Sequence, residues 1–124
     1  MTEFTQKSMA FLGVKAVALP VIDVARAENF YGKVLGLPAA KHPGEPYGYL
    51  LGETILLLKQ DWYAEPSSEP SPRITLQVDD ARSLVKTLKE RGVTISDDVE
   101  PTKTGFVGSF LDSEGNKLWF CSHN

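Results

Sequence analysis

The same order of local structure signals occurs twice along this chain, and such a duplication narrows the possible folds more than any single motif does. In the first half, residues 14–21 are apolar and rich in β-branched side chains, which predicts a strand. Asp23 is placed to cap a helix whose apolar face is Ala27, Phe30, Tyr31, Val34 and Leu35, and Gly36 ends it. Strands are then expected at 37–41, 47–51 and 54–59, the last two joined as a hairpin across Gly52 and Glu53. The second half repeats the series. A strand at 74–78 leads to a helix capped by Asp79 or Asp80, with Ala81, Leu84, Val85 and Leu88 on one face and a stop at Arg91-Gly92. Strands at 93–96, 105–111 and 117–121 complete it, the last two joined through residues 112–116. Asp23 falls on Asp80 with an offset of 57, and Gly48 on Gly108 with an offset of 60.

The expected architecture is therefore α+β: two βαβββ modules forming a curved, partly open, eight-stranded barrel-like sheet with the helices outside. All 124 residues make one domain, with module one at about 14–60, a linker at 61–72 and module two at about 73–122. The linker holds three prolines and three serines, which suits neither helix nor central strand. Its Asp61, Glu65 and Glu69 account for the whole net charge of −3. The concave side of such a sheet is the expected ligand site, because it is the large cavity this fold makes.

Composition removes several classes of function. With no basic cluster longer than a pair, the chain lacks the concentrated positive charge of a nucleic-acid groove. Its longest apolar run, 16–22, contains Pro20 and is far shorter than the roughly 20 residues of a membrane span, so no membrane partner is expected. The single cysteine, Cys121, cannot form an internal disulfide and points to a reducing, cytoplasmic setting. With only His42 and His123 beside it, no cluster of structural-zinc type is expected.

Three segments carry a family resemblance: residues 17–37, with Phe30-Tyr31 and Leu35-Gly36; residues 76–80, Leu-Gln-Val-Asp-Asp; and residues 110–119, with Asp112 and Gly115-Asn116. Together, over about residues 14–121, they resemble the glyoxalase, bleomycin-resistance and extradiol dioxygenase superfamily, the vicinal oxygen chelate proteins. Members isomerise substrates, open rings, attach thiols to antibiotics or only bind them. The resemblance implies that enzymes of this kind hold a divalent metal through His or Gln, Glu, His and Glu at positions that fall here on Ala16, at or beside Leu57, on Arg73 and on Trp119. None of those four residues is a metal ligand. Arg73 in particular is charged at any working pH and would place a fixed cation where a dication should sit. No metal and no cofactor are therefore expected.

The candidate ligand-binding residues are Trp119, Arg73, Tyr49, Tyr47, Trp62, Leu57 and Ala16. Trp119 in place of a carboxylate offers a stacking surface for a flat or cationic ligand, or else fills the core. Tyr47 and Tyr49 share a strand face, while Trp62 and Tyr63 stand at the linker entrance. Arg73 either grips a ligand carboxylate or phosphate, or makes a surface ion pair with Glu53 or a linker acid. The expected function is metal-independent binding of a planar or cationic small molecule, with antibiotic resistance as one outcome. The alternative is a glyoxalase-like lyase or dioxygenase-type enzyme with an altered site or a relocated metal, for which His42, Glu45, His123 and Cys121 are the distant candidates. The resemblance also implies a homodimer.

Overall fold

The computed structural model describes residues 11–40, 48–60 and 64–123. The expectations for His42, Glu45, Tyr47, Trp62 and Tyr63 lie outside those residues. In the first module β1 (Ala16–Pro20) leads to α1 (Val24–Asn29), then β2 (Ala39–Ala40), β3 (Gly48–Leu51) and β4 (Thr54–Lys59). In the second, β5 (Thr75–Gln77) leads to α2 (Ala81–Glu90), β6 (Thr94–Thr102), β7 (Gly105–Leu111) and β8 (Lys117–Ser122). The sheets have strand orders β1-β4-β3-β2 and β5-β8-β7-β6. In both, the first strand runs parallel to the fourth and the other pairs are antiparallel. The duplication is thus realised strand for strand. The two sheets stay separate four-stranded units and do not close into a barrel.

Equivalent residues do equivalent work in the two modules. The Asp23 side chain accepts from Arg26 N, and that of Asp80 accepts from Arg82 N and Ser83 N, so each satisfies donors that a helix start leaves open. The Ser83 backbone contact leads in holding the Asp80 carboxyl below its ordinary pKa. Gly36 and Gly92 stop the helices at φ of 72° and 78°, a region where a side chain would be strained. Gly48 and Gly108 answer another demand. A Cβ at Gly48 would press on the Leu56 carbonyl of the adjacent strand, and one at Gly108 would lie 2.8 Å from the Phe120 ring.

Three elements differ from the sequence expectation. The first helix does not keep α geometry throughout. Its Phe30–Val34 part is a π-helical turn, with Leu35 N bonded to Phe30 O, and the wider turn buries the neighbours Phe30 and Tyr31 together. β2 is only two residues long. β6 runs on to Thr102 through two register shifts, past Asp97, Asp98 and Glu100, whose charge and low strand preference hid it. It is one edge of its sheet, where charged residues deter pairing with another chain.

The modules share one core. Leu19, Phe30, Tyr31, Tyr49 and Leu56 of the first cluster with Ala81, Leu88, Phe110, Leu118 and Phe120 of the second, and the Phe30 and Phe110 rings stand 6.4 Å apart. A polar clamp crosses the same junction. In the turn between β7 and β8, the Asp112 carboxylate accepts the Tyr31 hydroxyl at 2.6 Å and the backbone N–H groups of Glu114 and Asn116 at 2.8 Å each. The Glu114 side chain is fully buried and accepts from Ile22 N and Asp23 N at 2.8 Å, from Arg26 Nε at 2.7 Å and from Arg26 Nη2 at 3.1 Å. Asn116 donates to the Pro20 carbonyl at 2.8 Å. These residues belong to the segments that carried the family resemblance, and the clamp gives them a structural task. They lock the second module's last turn onto the first module's β1–α1 junction.

Candidate functional site

Alternation along β8 decides where Trp119 points. Leu118 and Phe120 are buried in the core, so Trp119 and Cys121 between and beyond them face the other, open side of the sheet. The Arg73 guanidinium, just before β5, lies 3.6 Å from the centre of the Trp119 ring, and Lys117 Nζ lies 4.4 Å from it. Lys117 Nζ also stands 2.6 Å from Asp97 Oδ2 on β6. Ser109, fully buried, accepts from Asp97 N and donates to the Asp97 carboxylate. The hydrogen bond from Lys117, followed by that from Ser109, holds the Asp97 carboxyl below its ordinary pKa, and the charge of Arg73 adds to the shift. The open face of the second sheet is therefore a charged ladder built around one indole.

The first sheet shows a different surface. Ala18 pairs with Leu57 as Thr75 pairs with Trp119, and Ala16 and Arg73 each stand two residues earlier. Register thus makes Leu57 the counterpart of Trp119, and Ala16 the counterpart of Arg73. Ala16 and Leu57 bring only a methyl and an isobutyl group. A metal centre in the style of the related enzymes would need oxygen, nitrogen or sulfur donors at these four places, and the set present does not fit one. Among the described residues, no group of three or more His, Cys, Asp or Glu is close enough to hold a metal ion.

A groove of about 1070 Å³ runs between the edge strands β1 and β5, with linker residues along it. Val17, Leu19, Leu51, Ile74 and Leu76 contribute apolar wall, and Arg73, Lys117, Gln77 and Asn116 contribute polar groups. Glu65 and Glu69 of the linker also line it and are exposed. Lys117 N donates to the Ser67 carbonyl at 3.0 Å, and Ser67 N donates to Asn116 Oδ1 at 3.1 Å, so the linker is fastened to the start of β8.

Of the candidate residues described, Arg73 lines this groove, while Trp119 stands behind it as the plate on which its guanidinium rests. Ala16 and Leu57 lie on the open face of the first sheet and do not line it. Tyr49 is in the core and does not line this groove. It is 5% exposed, its ring lies 6.4 Å from that of Tyr31, and its hydroxyl donates to the Glu28 carbonyl at 3.2 Å. The reason is register. Tyr49 pairs with Leu56, which faces the helix side, so strand alternation turns both inward. Arg73 makes no ion pair with a described carboxylate; its contact is the indole. His123 is exposed, its ring Nδ1 3.1 Å from the Thr104 carbonyl, and Cys121 is half-buried opposite Gln77 and Val107. Sequence reasoning missed Asp97, Ser109 and Lys117. For Lys117 a signal existed, since it precedes Trp119 by two on one strand; Asp97 comes near only through the pairing of β6 with β7.

The geometry has counterparts among known proteins. Residues 13–120 match the Glyoxalase/Bleomycin resistance protein/Dioxygenase superfamily, and the chain belongs to it. TnmS3, an antibiotic binding protein from Streptomyces sp. CB03234, is 26% identical, superposes with a TM-score of 0.73, and is matched over 92% of this chain and 98% of its own. A superfamily member from Sphaerobacter thermophilus DSM 20745 gives 24% and 0.77, with 90% and 98% covered. A lactoylglutathione lyase from Agrobacterium tumefaciens gives 18% and 0.70, with 91% and 95% covered. The last two likenesses establish shared fold alone. No curated protein matches the chain. Among the described residues, no helix is long and apolar enough to cross a membrane.

Proposed function

We propose that this protein is a metal-independent binding protein that sequesters a planar small molecule, an antibiotic being one such compound. The observation that carries the reading is the stacked pair of Arg73 and Trp119 at two positions where related enzymes hold metal ligands. A guanidinium on an indole cannot donate electron pairs to a dication, but it makes a rigid polar surface beside a groove with apolar walls. The likeness to TnmS3 supports a binding role. Positive charge in the ligand finds little support on this face. Arg73 and Lys117 already lie over the ring, so a cationic ligand would rely on the exposed Glu65 and Glu69 instead. The reading includes a homodimer, for which the exposed Phe11, Leu12 and Ile22 offer surface away from the groove lining, and a cytoplasmic site of action.

The test is titration of tryptophan fluorescence with planar aromatic drugs and with cationic glycopeptide drugs, in the presence and absence of a chelator. Saturable quenching by planar compounds, unchanged by the chelator and reduced in Trp119→Phe, is expected. Turnover of a glyoxalase or dioxygenase substrate that appears with added Ni, Zn, Mn or Fe and vanishes with the chelator would overturn the reading.

A further inference from the structure

The groove holds two cationic side chains in different circumstances. The charge of Lys117 is answered by Asp97 at 2.6 Å. Arg73 forms no ion pair with a described carboxylate, Asp97 being near enough only for its charge to be felt, and its guanidinium lies over the Trp119 ring, 3.6 Å from the ring centre. Stacking uses the face of a guanidinium and leaves its edge, where the N–H donors lie, unoccupied.

We propose that the ligand is an acid, a planar aromatic compound carrying a carboxylate that the edge of Arg73 receives; this rests on the binding reading above. A neutral ligand filling the groove would strip water from a fixed positive charge and return nothing for it, which is unfavourable. A carboxylate returns two parallel N–H···O contacts in a geometry matched to the fork. Ala18 and Pro20 of β1, on the open side like Arg73, and the linker prolines Pro70 and Pro72 that line the groove then give the flat body of the molecule apolar contact, while the start of β5 sets where its acid group lies. The charge of Asp97, felt at Arg73, is answered by Lys117, and Glu65 and Glu69 oppose an anion only weakly. Both are exposed, so water and salt screen them, whereas the Arg73 contact is direct. Trp119 acts as a positioning residue, because holding the guanidinium flat lowers the freedom lost when the ligand binds.

The experiment is calorimetric titration of three matched probes in chelator-containing buffer: 2-naphthoate, 2-naphthalenemethanol and 2-naphthylmethylamine, with the anthracene series as a larger set. Wild-type protein should bind the acids about tenfold or more tightly than the alcohols, with a preference that shrinks as salt rises. In Arg73→Gln the ratio of acid to alcohol affinity should fall to about one, and in Arg73→Lys it should lie between. The side chain is exposed, and a thermal melt of each variant checks that folding is retained. Equal or tighter binding of the alcohols or amines by wild type, or an acid preference that survives in Arg73→Gln, overturns the acid assignment and leaves the binding reading intact. If no probe of either series binds, both fall.

Discussion

On the open face of the first sheet stand Ala16, Ala18 and Leu57, and at the matching places of the second stand Arg73, Thr75 and Trp119. The chain path is the same in both, down to the order of strands and the capping aspartates. What a duplicated path preserves is the set of positions that make the sheet and cover it; the chemistry of the uncovered face is free to diverge, because nothing in the core depends on it. The second module also carries both charged networks, and they differ as sharply. Glu114 is enclosed, with every acceptor position used, and joins the modules. Asp97 is half exposed, its partner Lys117 lies along the groove, and the pair joins strands of one sheet, β6 and β8, across β7.

That contrast predicts very different responses to removal. Glu114→Ala should cause the largest loss, about 3 kcal/mol of unfolding free energy in urea, because it leaves Arg26 and two backbone N–H groups without their acceptor. The acid dependence should follow the same residue. Hydrogen bonds from Arg26 lead in holding the Glu114 carboxyl at about 2, against an ordinary 4.5. Its contribution is therefore complete above the unfolded value, declines as the pH falls below about 4.5 and is gone below about 2. Glu114→Gln should flatten the fall in stability over that interval. A wild-type protein no less stable at pH 3 than at pH 6, once other carboxylates are matched by the variant, would break the contrast.

Tyr31→Phe should rank next, at about 1–2 kcal/mol, since it withdraws one of four donors from the buried Asp112 while keeping the ring in the core. The Tyr31 hydroxyl titrates well above its ordinary value, first through burial and then through the charge of Asp112, so this contact persists at mildly alkaline pH. The smallest effect belongs to the open network. Asp97→Asn should change unfolding free energy by about 0–1 kcal/mol, because its partner geometry is held in reach of water. A loss as large as that of Glu114→Ala would mean that the ladder on the groove side is a structural brace.

Much of the fold could be read directly. Asp23, Asp80, Gly36 and Gly92 are local signals, and each depends on a few neighbouring residues, so the duplicated βαβββ order was legible without any tertiary contact. β6 was underestimated because acids are poor strand formers on average and are tolerated at an edge. The inward turn of Tyr49 was illegible for a related reason. Alternation says which residues share a face but not which face is covered, and Leu56 beneath the helix settles it.

The sequence by itself determined the succession of elements in the repeated βαβββ pattern, from local spacing, and the family resemblance placed Ala16, Leu57, Arg73 and Trp119, none of them a metal-ligand type, where related enzymes carry ligands. Only the tertiary structure decided that Arg73 stacks on Trp119, that Asp97 answers Lys117, and that Glu114 reaches the first helix 88 positions away from it at Arg26. Those contacts join residues far apart along the chain. Which donor meets which acceptor across such distances is fixed when sheets and helices pack, and no local preference of the residues involved contains it.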